Sequence, residues 1–204
     1  MTTRFAIAVP TFRRPELLRR TLVSIRDQSY GGFAVWVVYN GGDNTNYSSI
    51  EEEFGPDPRF KFTSTPEVGK YAALNHVISE IDGDLFMIVD DDDVLLEHAL
   101  STLAKAWECI DSESRSRLCG VCARCGDKRG NLIGSPLPNS LDETDFFFLR
   151  EVARVVGDME EAVRVDLVKN FRFYIESGEH LARTSELWYT LAKNYRVRCL
   201  SAII

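Results

Sequence analysis

Short continuous apolar runs alternate with helix-periodic segments over the first hundred residues. Residues 5–9 form one run, ended by Pro10. Pro15 then fits the first turn of a helix, and Leu17, Leu18, Leu22 and Ile25 recur on one side at 3.6-residue spacing. A second strand-like run covers 33–38 and is closed by the Asn40-Gly41-Gly42 turn signal. The pattern predicts a short helix over 47–54, a short strand over 60–63 and a helix over 70–81. In the last of these Ala73, Leu74, Val77, Ile78 and Ile81 share a face before Gly83 stops it. Residues 85–89 give a third clear strand and 96–107 another helix.

Strands apolar on both faces that alternate with helices imply an α/β fold, a mostly parallel sheet covered by helices. Such sheets bind ligands beyond the carboxyl ends of their strands, which directs attention to 10–14, 39–44 and 90–93. From about residue 118 the pattern changes. Residues 118–125 and 131–134 read as a hairpin around Asp127-Lys128-Arg129-Gly130, followed by a Pro-rich loop and a Phe-rich stretch. Helices are predicted over 166–170 and 185–194, and a last strand over 195–200. No internal repeat or linker interrupts the chain, so a single compact domain with two sub-regions, 1–117 and 118–204, is expected.

Composition narrows the class. With 204 residues, 45% hydrophobic and 27% charged, the chain is of ordinary globular make-up, which excludes disordered, collagen-like and coiled-coil readings. The longest apolar run is 33–39, far short of the ~20 residues a membrane-spanning helix needs. The opening apolar stretch is too short for a signal-peptide core, so the expected compartment is the cytoplasm. A net charge of −7 argues against nucleic acid as a partner, although the strip Arg13, Arg14, Arg19 and Arg20 can meet an anion locally.

Five cysteines, an odd number, argue against a disulfide framework. Cys119, Cys122 and Cys125 have C-x-x-C-x-x-C spacing but lie in a strand-like run. Alternation puts Cys119 and Cys125 on one face and Cys122 on the other, with no fourth ligand nearby, so they read as small buried hydrophobes. His76, His98 and His180 lack metal-ligand spacing and read as structural. Phe146, Phe147 and Phe148 line a groove or fill a core, with the core expected.

The strongest chemical signal is Asp90-Asp91-Asp92-Asp93, directly after the strand 85–89. Four adjacent carboxylates repel one another, and a cation or hydrogen-bond donors compensate such a cluster at a buried strand end. Oxygen donors of this kind suit Mg²⁺ or Mn²⁺ bridged to phosphates. The other reading is a solvated acidic turn that also caps the next helix.

Four motifs stand in register: Val9-Pro10-Thr11-Phe12-Arg13-Arg14-Pro15-Glu16-Leu17-Leu18, Gln28-Ser29-Tyr30, Gly69-Lys70-Tyr71-Ala72-Ala73-Leu74-Asn75 and the Asp90 to Asp93 cluster. In order and spacing they resemble family 2 glycosyltransferases, over nearly the whole chain. Gly157-Asp158 before a strand, then Gly178-Glu179 and Trp188 leading into Leu191-Ala192-Lys193-Asn194-Tyr195-Arg196-Val197, are similar to one bacterial branch of that family. The resemblance implies a GT-A fold, a nucleotide-diphospho-sugar donor of UDP or GDP type, a divalent metal (Mn²⁺ or Mg²⁺) on a D-x-D motif, and inversion at the anomeric carbon. The acceptor would be a glycan, a lipid-linked molecule or a small molecule, and peripheral membrane association is compatible with it. Residues 1–117 would be the nucleotide-sugar-binding half and 118–204 the acceptor-side half.

Carried over by position, Pro10, Thr11 and Arg14 would touch the nucleoside. Lys70 and Asn75 would lie near the base or diphosphate. Asp90 would meet the ribose and share the metal with Asp92, with Asp91 and Asp93 in support. Two places depart from the family. Its usual acidic residue at the end of the second strand is replaced by Val38-Tyr39-Asn40-Gly41-Gly42-Asp43, where Tyr39 could stack on a base and Asn40 or Asp43 could accept hydrogen bonds.

The second departure concerns the general base, which takes the proton from the attacking acceptor hydroxyl. Thr184 stands at its position, four before Trp188. Glu186 is the first candidate, with Glu179 and Asp158 behind it. Two residues along a helix turn a side chain by about 200°, so Glu186 serves only if the helix starts late or shifts. Two rivals remain. A sugar-phosphate nucleotidyltransferase should have a Gly-rich loop after the first strand, whereas Thr11-Phe12-Arg13-Arg14-Pro15 has no Gly. A catalytically degenerate GT-A domain would bind nucleotide or glycan without turnover.

Overall fold

The computed structural model describes residues 2–42, 46–138, 141–174 and 185–204. In chain order the elements are β1 Phe5–Thr11, α1 Pro15–Arg26, β2 Phe33–Asn40, α2 Ser48–Phe54, β3 Phe60–Thr65 and α3 Lys70–Ile78. They continue with β4 Leu85–Ile88, α4 Ala99–Glu108, α5 Ser112–Arg117, β5 Leu118–Arg124, β6 Glu143–Thr144 and a π-helical turn Phe148–Val152. The chain then forms β7 Met159–Arg164, α6 Val165–Val168, α7 Ser185–Ala192 and β8 Arg196–Ile203.

The strands form one sheet in the order β3-β2-β1-β4-β7-β5-β8-β6. β1, β2, β3 and β4 run parallel, β7 is antiparallel to both β4 and β5, and β8 runs parallel to β5. Succession moves outward from β1 through β2 to β3, then returns to place β4 on the other side of β1. That reversal opens a crevice at the carboxyl ends of β1 and β4.

Period-2 alternation divides the core into two layers. Ile7, Val9, Val35, Val37 and Met87 face one side and pack with Leu18, Leu22 and Ile25 of α1 and with the α4 residues Leu100 and Leu103. Ala6, Ala8, Trp36, Val38 and Phe86 face the other, beneath Ala73, Leu74 and Val77 of α3 and Leu187 and Trp188 of α7. Fully burying each of these larger apolar side chains contributes about 1.5–3 kcal/mol. The parallel α/β architecture is the one the hydrophobic pattern predicts.

Several local expectations change. The second arm of the predicted hairpin shrinks to one bridge, Gly126 to Leu132, because β5 pairs with β7 and β8 instead. Cys119 and Cys122 lie on the same side of the sheet, not opposite sides, because the β5–β8 register shifts between Leu118 and Gly120. Gly120 is required there: a Cβ on it would lie 2.0 Å from the Ala162 carbonyl oxygen. All five cysteines are free thiols. Of these three phenylalanines, Phe146 is core, whereas Phe147 and Phe148 are exposed where the π-helical turn begins. His76 Nε2 lies 2.9 Å from Thr63 Oγ1 and His98 Nδ1 2.9 Å from Ser29 Oγ, so both have structural partners. His180 lies outside the described residues. No helix among the described residues is long and apolar enough to cross a membrane.

Candidate active site

A cavity of about 620 Å³ opens at the crevice and is lined by Pro10, Thr11, Phe12, Arg14, Asn40, Val68, Gly69, Lys70, Asp90, Asp91 and Asp92. Three strand ends build it. β1 delivers Thr11, and Arg13 then turns the chain with φ +56°, so that Arg14 caps α1 and Pro15 starts it. β2 delivers Asn40, whose Oδ1 accepts the Gly69 N–H at 2.6 Å and so fixes the start of α3. Gly69 has φ +135°, a conformation that favours glycine. The Asp run follows β4, where Val89 N–H still bonds Ala8 O at 3.0 Å before Asp93 N–H closes a turn on Asp90 O.

This acidic turn is tied to α1 through its backbone. Arg20 Nη2 donates to the Asp92 carbonyl at 2.6 Å and Thr21 Oγ1 to the Asp93 carbonyl at 2.7 Å. Asp91 points inward, only 4% exposed, and its Oδ2 accepts from Thr11 Oγ1 at 2.7 Å. Since Thr11 has a single proton and gives it to the carboxylate, Tyr47 OH must donate to Thr11 Oγ1, 3.1 Å away. Tyr47 OH in turn accepts the Arg14 N–H at 3.2 Å. Burial pushes the Asp91 carboxyl above its ordinary range, opposed by the Thr11 hydrogen bond and the Arg14 charge. Asp93 is likewise raised, by burial first and then by the charges of Asp90, Asp92 and Asp158, with Lys70 opposing.

Asp90 and Asp92 present their carboxylates to the cavity. Lys70 Nζ is paired with Asp90 Oδ1, and Arg14 Nη1 lies 2.9 Å from Asp92 Oδ2 and 3.3 Å from Asp91 Oδ1. Two carboxylates beside two cations match the way Mg²⁺ and Mn²⁺ are held, by one or two protein oxygens and otherwise by substrate phosphate and water. A closed all-protein cage is not the alternative, because among the described residues no three His, Cys, Asp or Glu groups converge on a metal position. The donor set therefore fits a divalent ion shared with a phosphate ligand.

The structure separates the sequence-nominated residues. Pro10, Thr11, Arg14, Asn40, Lys70, Asp90, Asp91 and Asp92 line one cavity. Tyr39 does not: it is 2% exposed and stacks on Tyr47 at 4.5 Å between ring centroids. Odd positions of β2 face the α1 and α2 layer, which leaves no ring face for a base. Asn75 also points elsewhere. Its Nδ2 donates to Phe173 O at 2.9 Å and its Oδ1 accepts the Phe173 N–H at 2.8 Å, clipping the 171–174 segment to α3.

Asp43, Glu179 and the Thr184 position lie outside the described residues. Glu186 is exposed in the first turn of α7, and Asp158 is exposed at the start of β7, within electrostatic reach of Asp93. Sequence reasoning missed Tyr47, whose role depends on where its hydroxyl lands. It also missed Phe12 and Val68, which give the cavity its apolar lip.

In an open α/β sheet the crevice at the topological switch point, here lined with carboxylates and cations, is where ligands bind. The sequence signature of Glycosyl transferase family 2 matches residues 6–137, and the chain belongs to that family. It is 25% identical over 198 residues to the GalNAc(5)-diNAcBac-PP-undecaprenol beta-1,3-glucosyltransferase of Campylobacter jejuni, covering 93% of this chain and 60% of that protein. It is 33% identical over 110 residues to an N-acetylglucosaminyltransferase of Azorhizobium caulinodans, covering 52% of this chain and 28% of that one. The chain thus spans part of the length of both relatives.

Among solved structures, S. aureus TarS 1-349 in complex with UDP superimposes with a TM-score of 0.76 at 19% identity, over 97% of this chain and 58% of that one. The mannosyltransferase PcManGT from Pyrobaculum calidifontis, in complex with GDP-Man and Mn²⁺, does so with a TM-score of 0.66 at 20% identity, over 100% and 55%. These likenesses establish the GT-A fold.

Proposed function

We propose that the cavity at the ends of β1 and β4 is the donor site of an inverting, metal-assisted glycosyltransferase that takes a UDP- or GDP-sugar. One observation carries this reading: Asp90, Asp91, Asp92, Lys70 and Arg14 converge on a single cavity of about 620 Å³ at the switch point. In this reading Pro10 and Thr11 border the nucleoside, with Asn40 beside them. Lys70 and Arg14 face the diphosphate, and Asp90 and Asp92 are the residues that would hold Mn²⁺ or Mg²⁺. The ion's contribution would be to neutralise the charge that builds on the departing nucleoside diphosphate.

The acceptor hydroxyl attacks the anomeric carbon from the face opposite the nucleotide. The carbon–oxygen bond to the diphosphate breaks with its electron pair, and a carboxylate receives the hydroxyl proton. Asp158, Glu186 and Glu179 are the candidates for that carboxylate. Asp158 is favoured because it stands exposed just before β7, whose antiparallel pairing with β4 sets it at the β4 end that carries the acidic turn. The Campylobacter relative is named for a lipid-linked acceptor, and we extend that class to this chain as its acceptor, reached from the cytoplasmic side. The exposed Phe147, Phe148, Val152 and Val156 then form the face that meets the membrane surface.

The test is a thermal-shift screen of UDP, GDP and nucleotide sugars with Mn²⁺, Mg²⁺ or EDTA, on wild type and Asp92→Asn. A ligand of the native state raises the melting temperature by mass action, about 2.7 kcal/mol at a hundredfold excess over Kd. Stabilisation by one nucleotide series, lost with EDTA and in Asp92→Asn, is expected. No metal-dependent shift with any nucleotide sinks the donor site. Binding without sugar transfer leaves a degenerate binding domain.

A further inference from the structure

Asp90 and Asp92, the two carboxylates that fit a divalent ion, each already carry a cation of the chain itself: Lys70 on Asp90, and Arg14 on Asp92 at 2.9 Å. Both cations are fixed at the backbone and reach the carboxylates through long side chains. Lys70 begins α3, where the Asn40 bond to Gly69 holds the chain, and Arg14 caps α1, with its N–H on Tyr47 OH. Their side chains are 25% and 49% exposed, and the two carboxylates are 45% and 48% exposed. Ion pairs this open to solvent hold weakly and exchange readily.

A divalent ion arriving at the same oxygens competes with Lys70 and Arg14 for them. Its positive charge also repels both side chains, which line the same cavity. Resting on the donor-site reading, we propose that Lys70 and Arg14 are exchangeable counter-ions that hold Asp90 and Asp92 until metal binds and then pass to the oxygens of the donor diphosphate. Metal alone displaces both cations from Asp90 and Asp92, leaving Arg14 only its longer contact with Asp91 Oδ1 at 3.3 Å and offering no diphosphate to either. Diphosphate alone must take cations from carboxylates that are left without a partner. Together the two ligands satisfy every charge, so each raises the affinity for the other, and Lys70 and Arg14 set the size of that coupling. The arrangement keeps the acidic turn neutralised between turnovers and makes tight metal retention dependent on a bound diphosphate.

The experiment is a Mn²⁺ titration read by the electron paramagnetic resonance signal of free Mn²⁺, without and with pyrophosphate, UDP or GDP, corrected for Mn²⁺–ligand complexes in solution. It is run on wild type, Lys70→Gln, Arg14→Gln and Lys70→Arg. Wild type should bind Mn²⁺ weakly alone and more tightly with a diphosphate, by a factor within the ~5–150-fold range of coupled sites. Each Gln variant should bind Mn²⁺ alone at least about fivefold more tightly than wild type and lose most of the diphosphate enhancement. Lys70→Arg, which keeps the charge, should behave as wild type.

If the Gln variants bind Mn²⁺ alone no better than wild type while wild type still takes Mn²⁺ with a nucleoside diphosphate, the counter-ion exchange is overturned and the donor site stands. If wild type takes no Mn²⁺ with any diphosphate, both readings fall. Wild type alone also decides the matter should a variant fold poorly, since equal Mn²⁺ affinity with and without diphosphate overturns the coupling.

Discussion

Thr11 Oγ1 lies 2.7 Å from Asp91 Oδ2, joining the carboxyl ends of β1 and β4 by a hydroxyl that donates to a buried carboxylate. Thr11→Val keeps the side chain's shape and removes the donor. It leaves Asp91 short of a partner, and Tyr47 OH without its acceptor. A loss of about 1–3 kcal/mol in urea unfolding is expected, with a weaker nucleotide-induced thermal shift. Unchanged stability would mean that Arg14 and the Phe12 backbone N–H compensate Asp91 without Thr11.

The general base is decided by comparing Asp158→Asn, Glu186→Gln and Glu179→Gln in a sugar-transfer assay. The substitution that removes the base should lower kcat by about 10²–10⁴ with little change in donor affinity, and the other two should stay within about tenfold. Asp158 is the expected one. A large fall confined to Glu186→Gln would instead assign proton removal to the first turn of α7.

Asn75 and the Phe173 backbone exchange two hydrogen bonds, at 2.9 and 2.8 Å, beside the stacked rings of Tyr71 and Phe173. Asn75→Ala should lose about 1–3 kcal/mol and speed amide exchange at Phe173, while the thermal shift on adding nucleotide stays as in wild type. A variant of normal stability that binds nucleotide poorly would return Asn75 to the donor site.

Glu161 on β7 has its carboxyl pushed up to about 8, by burial first and with Asp158 adding to it, against the opposing charges of Arg150 and Arg124. Its ordinary value in an unfolded chain is about 4.3. Between these values the folded state binds the extra proton, so stability falls as pH rises through the window towards 8. Glu161→Gln cannot ionise. Its melting temperature should decline less than that of wild type between pH 5 and 8 and exceed it above pH 8. Parallel curves would show that Glu161 ionises as freely in the fold as in the unfolded chain.

The first four strands and the first three helices could be read from the chain because each signal is local. Apolar runs ended by Pro10 or by Asn40-Gly41-Gly42 need no partner to be recognised, and Pro15 announces the start of α1. The same holds for Asp90 to Asp93, whose repulsion demands compensation wherever the turn lies. β7 was legible only through the family resemblance, which puts a strand after Gly157-Asp158, and not from its own hydrophobic pattern. Met159 to Arg164 carries Glu160 and Glu161 at its centre, and only the neighbours β4 and β5 make it a strand. Loss of water around these two half-buried glutamates raises both carboxyls, which no local pattern reveals.

The sequence by itself determined the parallel α/β class, the acidic turn after β4 and the basic loop after β1, because strand alternation and charge are properties of neighbouring residues. Tertiary structure decided which of these meet. Placing β4 beside β1 brings Arg14 onto Asp92 across 78 positions of chain. The alternation of β2 turns Tyr39 into the core, and Asn75 is drawn to a backbone 98 positions away. A side chain's partner is set by the sheet order and by the face it occupies. Both follow from packing across the whole domain, not from residues adjacent in sequence.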